Sequence, residues 1–92
     1  MRFFWGASKP KTGPKDAIVK LRSMVALLEK REEHIQKKIE NETAIARANA
    51  TKNKTMAMQA LKRKKLLEKE LEKISGSRMT LETQAMAIES AA

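Results

Sequence analysis

The chain contains no cysteine and no tyrosine, and all of its aromatic side chains lie in its first five residues. The absence of cysteine excludes disulfides and thiolate metal sites. Phe3, Phe4 and Trp5 are the only aromatic residues, so the rest of the chain has no large rings with which to fill a globular core. No apolar run approaches the roughly 20 residues that span a bilayer. The short apolar start is not a secretory signal either, because Lys9 and Lys11 follow it at once.

Patterns associated with catalysis are also missing. His34 is the only histidine, and it falls outside the apolar stripe described below, which is typical of a surface residue. There is no Gly-rich phosphate loop, no Ser/His/Asp set and no cluster with metal-ligand spacing. The sequence therefore predicts a protein that is not an enzyme and that takes no cofactor and no metal.

What remains is rich in Leu, Ile, Met, Ala, Glu, Lys and Arg, which is the composition of long helices. We predict an all-α chain with four parts. Residues 1–13, punctuated by Gly and Pro, form a flexible leader, and a first long helix covers 14–50. A connection covers 51–53, where Asn49, Thr51 and Asn53 are suited to end one helix and cap the next, and a second long helix covers 54–92.

Each predicted helix carries one apolar stripe with a spacing of 3 and 4 residues. The stripe of the first helix comprises Ile18, Leu21, Val25, Leu28, Ile35 and Ile39, with Glu32 and Glu42 in phase. The stripe of the second comprises Ala57, Ala60, Lys64, Leu67, Leu71, Ile74, Arg78, Leu81, Ala85 and Ile88. Two such helices joined by a short connection form an antiparallel helical hairpin, with the stripes as its seam or as the seam of a helical polymer.

The second stripe keeps its phase through Ser75-Gly76-Ser77, so we predict a continuous helix there. No Gly, Pro or basic final turn ends it, which favours a rod cut short at its C-terminal end. We also expect part of the seam beyond Gly76 to remain free for a neighbouring subunit. Ala44, Ala46, Ala48 and Ala50 are expected to let the helices approach closely before the connection.

Four charged residues interrupt the stripes, namely Glu32, Glu42, Lys64 and Arg78. Their stems could extend past the edge of the seam and leave the charges in water. Alternatively, the charges pair across the hairpin or between subunits and set the register. The sequence leaves both interpretations open.

The net charge of +9 is concentrated, since residues 51–73 carry eight basic and three acidic side chains. Five lysines of the second helix fall opposite its stripe, and we call them the lysine face: Lys54, Lys62, Lys65, Lys69 and Lys73. The face is either an ordinary solvated surface or a binding surface for phosphate groups. Phe3, Phe4 and Trp5 beside Arg2 are either a disordered start or an interfacial membrane anchor.

Residues 51–54 (TKNK) and 58–65 (MQALKRKK) resemble the charged multivesicular body proteins of the ESCRT-III complex, most nearly their main polymer-forming subunit. Residues 16–22 (DAIVKLR) and 88–91 (IESA) fit the first and second helices of that family. The resemblance implies a hairpin subunit that polymerises on anionic membranes and drives budding and scission in multivesicular body sorting. It implies an anchor at Phe3, Phe4 and Trp5.

The same resemblance implies lipid contact at Lys54, Lys62, Lys65 and Lys69, to which the helical spacing adds Lys73. Met58 stands where some relatives have a basic residue, which leaves a gap in this row. The implied partners are further copies of the chain, other ESCRT-III subunits and an anionic membrane, at a cytoplasmic, peripheral location on endosomes. A disassembling AAA ATPase would bind only through an acidic C-terminal region that nothing here matches.

Two other function classes remain. A basic helical hairpin could grip nucleic-acid phosphates without base specificity, although it lacks stacking aromatics on the helix and no nucleic acid is expected. A plain coiled-coil adaptor would form helical dimers without affinity for phosphate surfaces. Binding to anionic vesicles compared with binding to DNA separates the three classes.

Overall fold

The computed structural model describes residues 13–91, which form two long helices joined by a tight connection. Helix α1 spans Pro14–Asn49 and helix α2 spans Lys54–Ala91. The helices contain 36 and 38 residues, which correspond to rods of about 54 and 57 Å at a rise of 1.5 Å per residue. The predicted all-α hairpin is confirmed, and neither helix is both long and apolar enough to cross a membrane.

Local sequence explains where each helix begins. Pro14 is the first residue of α1, where its missing N–H costs nothing, and Gly13 precedes it in extended conformation. Asp16 lies in the first turn, where a negative charge is favoured by the helix dipole. In the connection, the Asn53 side chain accepts a hydrogen bond from the backbone N–H of Met56 at 3.2 Å and so caps α2.

Helix α2 continues through Gly76, as its unbroken stripe predicts. Gly76 is exposed, and a Cβ atom placed on it would meet nothing within 4 Å. The helix therefore has no packing reason for a glycine there. The regular contacts of the stripe on both sides of Gly76 keep the chain helical across a residue of low helix propensity.

The two stripes meet between the antiparallel helices. Val25, Ile35 and Ala46 of α1 are buried, as are Ala57, Ala60 and Ala85 of α2. The other apolar stripe residues are half-buried: Ile18, Leu21, Leu28 and Ile39 of α1, and Leu67, Leu71, Ile74, Leu81 and Ile88 of α2. Two helices alone cannot enclose larger side chains completely, so this core is a narrow strip of side chains along the hairpin.

The prediction of a free seam beyond Gly76 is wrong within the described residues. Leu81 and Ile88 are half-buried and Ala85 is fully buried against α1. An ion pair between Arg22 and Glu89 joins the helices near their open ends. The two helices are almost equal in length, so α1 covers α2 to within a turn of its end.

The expected close approach before the connection rests on fewer alanines than predicted. Ala46 is buried, whereas Ala44, Ala48 and Ala50 are exposed. Alternate residues of a helix point about 200° apart, so a row of every second residue cannot lie on one face. The matching small residues are instead Ala57 and Ala60 on α2.

Candidate functional site: the lysine face of helix α2

Arginine and glutamate side chains fix how the two helices face each other. Arg63 lies beside Glu42 near the connection, with Nε 3.0 Å from Oε2. Its Nη2 is also 3.0 Å from Oε1 of Glu42. This buried oxygen accepts no hydrogen bond from residues 13–91, so the contact is an ion pair only. At the open end, the Arg22 guanidinium donates to both carboxylate oxygens of Glu89, at 2.7 and 3.1 Å.

The third pair lies inside the seam. Arg78 donates through Nε to Glu32 at 2.6 Å and through Nη1 to Glu82 at 2.7 Å. The Ser75 hydroxyl donates to the second oxygen of Glu32. The side chains of Arg78 and Glu32 are only 22% and 16% exposed. We call Glu32, Ser75, Arg78 and Glu82 the seam cluster.

Hydrogen bonds to the charged form shift the pKa values of two glutamates. The Ser75 hydroxyl, and after it the Arg78 guanidinium, lower the pKa of Glu32, against partial burial, which raises it. The Arg22 guanidinium lowers the pKa of Glu89 in the same way. The pKa values of Arg22, Arg63 and Arg78 are raised by their hydrogen bonds to glutamate, so all three stay charged.

These contacts resolve the two interpretations of the charged stripe residues. Arg78 and Glu32 pair directly across the hairpin, and Glu42 pairs with Arg63, which lies beside the stripe. Lys64 is half-buried and forms no ion pair within residues 13–91. A slip of one helical turn would break all three interhelical pairs, so they specify the register.

The lysine face occupies the opposite side of α2. Lys54, Lys62, Lys65, Lys69 and Lys73 are all exposed, while the stripe residues behind them face α1. Every ion pair among the described residues is made by an arginine, and none of these five ammonium groups takes part in one, although Glu68 and Glu72 border Lys65 and Lys69. Lys62 to Lys73 cover about 16 Å along the helix, with Lys54 at the edge next to the connection.

Two exposed apolar residues belong to the same surface. Leu66 lines a shallow hollow of about 300 Å³ with Lys62, Lys65 and Lys69. Met58 lies one turn before Lys62 and is also exposed. In the sequence pattern Met58 is a gap in the basic row and Leu66 has no assigned role, although Leu66 follows Lys62 by four residues and so lies on the same ridge of the helix.

The stripes gave no pairing role to four residues that hold the hairpin. Arg22, Arg63 and Glu89 are not stripe residues, and Ser75 entered only as part of a possible helix break. A signal existed, because each lies beside a stripe position and meets its partner when the helices are folded back about the connection. Phe3, Phe4 and Trp5 lie outside the described residues.

Neither His34 nor the described carboxylates indicate a catalytic or metal site. His34 is exposed on the outer side of α1, as its position outside the stripe indicates. Within residues 13–91, no three His, Asp or Glu side chains come together in a way that could hold a metal ion. The lysine face is therefore the strongest candidate site.

Comparison with known proteins gives a consistent result. The sequence profile of the Snf7 family matches residues 16–92. The chain is 47% identical over 91 residues to the vacuolar-sorting protein snf7 of Schizosaccharomyces pombe, covering 99% of this chain and 40% of that protein. It is 52% identical over 82 residues to charged multivesicular body protein 4 of Drosophila melanogaster, covering 89% of this chain and 35% of that protein.

The chain is also 46% identical over 92 residues to charged multivesicular body protein 4c of Danio rerio, covering 98% of this chain and 41% of that protein. The chain thus spans about two fifths of the length of these relatives. The profile covers most of the chain, and the identities extend along nearly all of it. The chain belongs to the Snf7 family, the charged multivesicular body proteins of ESCRT-III.

Proposed function

We propose that this chain is a core subunit of an ESCRT-III filament that polymerises on anionic membranes and drives budding and scission during multivesicular body sorting. Membership of the Snf7 family supports the ESCRT-III role, and the names of the relatives point to vacuolar and multivesicular body sorting. The proposed location is cytoplasmic and peripheral on endosomal membranes. The function is structural, since Snf7 proteins are assembly subunits, and no catalytic step is proposed.

The observation that carries the proposal is the exposed lysine face, whose ammonium groups form no ion pair among the described residues. Lys62, Lys65, Lys69 and Lys73 lie along one side of α2, and none pairs with a carboxylate of the described residues. An anionic leaflet attracts each nearby lysine by about 1 kcal/mol. A straight row of such groups suits a surface of phosphates better than it suits a single small anion.

The hairpin determines which side of α2 is exposed. The seam is occupied within the chain, so the apolar stripes of α1 and α2 are not available to lipid. In the proposed arrangement the lysines face the bilayer, and the sides of the hairpin contact neighbouring subunits, either copies of this chain or other ESCRT-III proteins. Repetition along a polymer multiplies weak individual contacts into firm attachment.

The N-terminal residues complete the proposed membrane contact. Phe3, Phe4 and Trp5 beside Arg2 have the composition of an interfacial anchor. One short anchor binds weakly, so it is proposed to act together with the lysine face. Docking of a disassembling AAA ATPase is assigned to no residue of this chain.

The proposal is tested by sedimentation with vesicles of equal parts phosphatidylserine and phosphatidylcholine. Changing Lys62, Lys65 and Lys69 to glutamate is expected to weaken binding about 100-fold or more, because three favourable contacts become repulsive. The matched control changes Lys20, Lys30 and Lys37 of α1, which are also exposed, to glutamate and so alters the net charge equally. The control is expected to lose far less affinity.

If the two triple variants lost equal vesicle affinity, net charge alone would explain the loss, and the assignment of the lysine face would be contradicted. Binding of the wild-type chain to duplex DNA more tightly than to these vesicles would favour the nucleic-acid class. Electron microscopy with the same vesicles tests polymerisation, for which ordered filaments are the expected result. Helical dimers that bind neither vesicles nor DNA would identify a coiled-coil adaptor.

A further inference from the structure

The lysine face contains two apolar side chains that the hairpin does not use. Leu66 is 67% exposed and Met58 is 59% exposed. Met58 lies on the outer side of α2, and Leu66 lies on the flank between that side and α1, where it also borders Lys38 and Asn41. They contribute little to the seam, and their exposure leaves them available to a partner.

Their positions relative to the lysines are regular. Met58 precedes Lys62 by four residues and Leu66 follows it by four, so the three lie along one ridge of the helix. Leu66 also precedes Lys69 by three residues, and it shares a hollow of about 300 Å³ with Lys62, Lys65 and Lys69. Leu66 thus has three ammonium groups on one side, and on its other side it lines a second hollow with Lys38, Asn41 and Glu42 of α1.

We infer that Leu66, together with Met58, enters the apolar boundary of an anionic bilayer between the headgroups held by Lys62, Lys65 and Lys69. This inference rests on the proposed function, since it requires that the lysine face contacts a membrane. Helices that lie on a membrane bury their apolar side chains at the boundary between headgroups and acyl chains. The lysine stems extend from that depth, and their ammonium groups reach the phosphates.

The combination of charged and apolar groups favours a lipid surface over other phosphate-bearing partners. Free phosphate and nucleic-acid backbones satisfy the ammonium groups but offer Leu66 no apolar surface. A bilayer satisfies both, because acyl chains begin directly beneath its phosphates. Met58, which interrupts the basic row, then adds an apolar contact where a charge is missing.

The test compares Leu66→Ala with Leu27→Ala in the full chain. Leu27 is 62% exposed on α1, away from the lysine face, so it is a matched control for the loss of an exposed leucine. Alanine keeps the helix in both variants. On vesicles of equal parts phosphatidylserine and phosphatidylcholine, Leu66→Ala is expected to bind about 3- to 10-fold more weakly, and Leu27→Ala as wild type.

Salt distinguishes this contact from that of the lysines. High salt weakens the attraction of exposed charges but not the burial of apolar surface. The ratio between wild type and Leu66→Ala is therefore expected to persist at high salt, where overall binding is weaker. With duplex DNA as the probe, the two alanine variants are expected to bind equally well.

A second measurement reports depth directly. Leu66→Trp and Leu27→Trp are made in a Trp5→Phe background, so that each chain has one tryptophan. On vesicles, the fluorescence of the Leu66→Trp variant is expected to shift to the blue and to be quenched by brominated acyl chains. The fluorescence of the Leu27→Trp variant is expected to remain that of an exposed indole.

Equal vesicle affinity of the two alanine variants, or identical emission of the two tryptophan variants on bound chains, would overturn the inference and leave the proposed function intact. Failure of the wild-type chain to bind anionic vesicles would overturn both. A loss in Leu66→Ala that is equally large for DNA would also overturn it, because it would show a general effect on the lysines.

Discussion

The two sides of helix α2 use positive charge in different ways. On the side facing α1, Arg63 and Arg78 are bound to glutamates of the other helix at 2.6 to 3.0 Å. On the outer side, Lys62, Lys65 and Lys69 are exposed and bound to no carboxylate of residues 13–91. Positive charge serves the fold on one side and remains available to a partner on the other.

Both arginines of α2 lie on the paired side, and five of its lysines form the lysine face, whereas Lys64 lies in the stripe and forms no ion pair among residues 13–91. A guanidinium group offers several N–H donors in a fixed plane, so Arg22 and Arg63 can each approach both oxygens of one carboxylate. Such pairs fix direction as well as distance. A lysine is a single charge on a flexible stem, which suits contact with headgroups whose positions vary. The number of basic residues alone therefore says little about which of them bind a partner.

The largest effect is expected from removing a buried side chain from the seam between the helices. Ile35 is 5% exposed, and Ile35→Ala is expected to lower the free energy of unfolding by about 3 kcal/mol, because it removes buried surface and leaves a cavity. Leu27→Ala, on the exposed side of α1, is expected to change it by less than about 0.5 kcal/mol. Urea unfolding followed by circular dichroism measures both. Similar losses in the two variants would contradict the assigned core.

A smaller effect is expected from reversing one charge on either side of α2. Arg78→Glu places a third carboxylate beside Glu32 and Glu82, so the unfolding midpoint is expected to fall, by less than in Ile35→Ala. The same change at the exposed Lys73 is expected to leave stability unchanged and to weaken vesicle binding. Adding Glu32→Arg to Arg78→Glu is expected to recover part of the loss. If Arg78→Glu were as stable as wild type, the seam cluster would not be needed to fix the register of the two helices.

The smallest effect is expected on the stability of the hairpin at acidic pH. The folded-state pKa of Glu32 is lowered from 4.5 by Ser75 and then Arg78, so its charged form stabilises the hairpin above that pH. This contribution is lost as the pH falls through the lowered value, and Glu89 with Arg22 behaves in the same direction. Unfolding midpoints measured from neutral pH to below 4.5 are expected to fall in wild type and to fall less in Glu32→Gln. Glu33→Gln, an exposed neighbour, is expected to follow wild type.

Much of this architecture could be read from the residues because helices obey local rules. The 3–4 spacing of the stripes predicted two helices, and the residues of each stripe lie at least half-buried between them. A cap between the helices was expected from the short polar side chains of Asn49, Thr51 and Asn53, and the structure assigns it to Asn53. The exposure of the lysine face follows from its angle to the stripe.

Other features depended on contacts between distant residues. The pattern of α2 did not show that α1 covers it as far as Glu89, because coverage depends on the relative lengths and offset of two helices. Nor did it choose between solvated and paired charges within the stripes. That outcome needed Glu32, which is 46 residues from Arg78 in sequence, to lie against both Arg78 and Ser75.

The sequence by itself determined the helices, the connection between them and the side of α2 on which the lysines lie, because periodicity and capping act within a few residues. Only the tertiary structure decided which positive charges are neutralised. Pairing requires two side chains to meet within about 3 Å, and that depends on the register of two rods about 55 Å long. In that register Arg22, Arg63 and Arg78 meet glutamates of the other helix, and the lysine face with Leu66 and Met58 remains exposed.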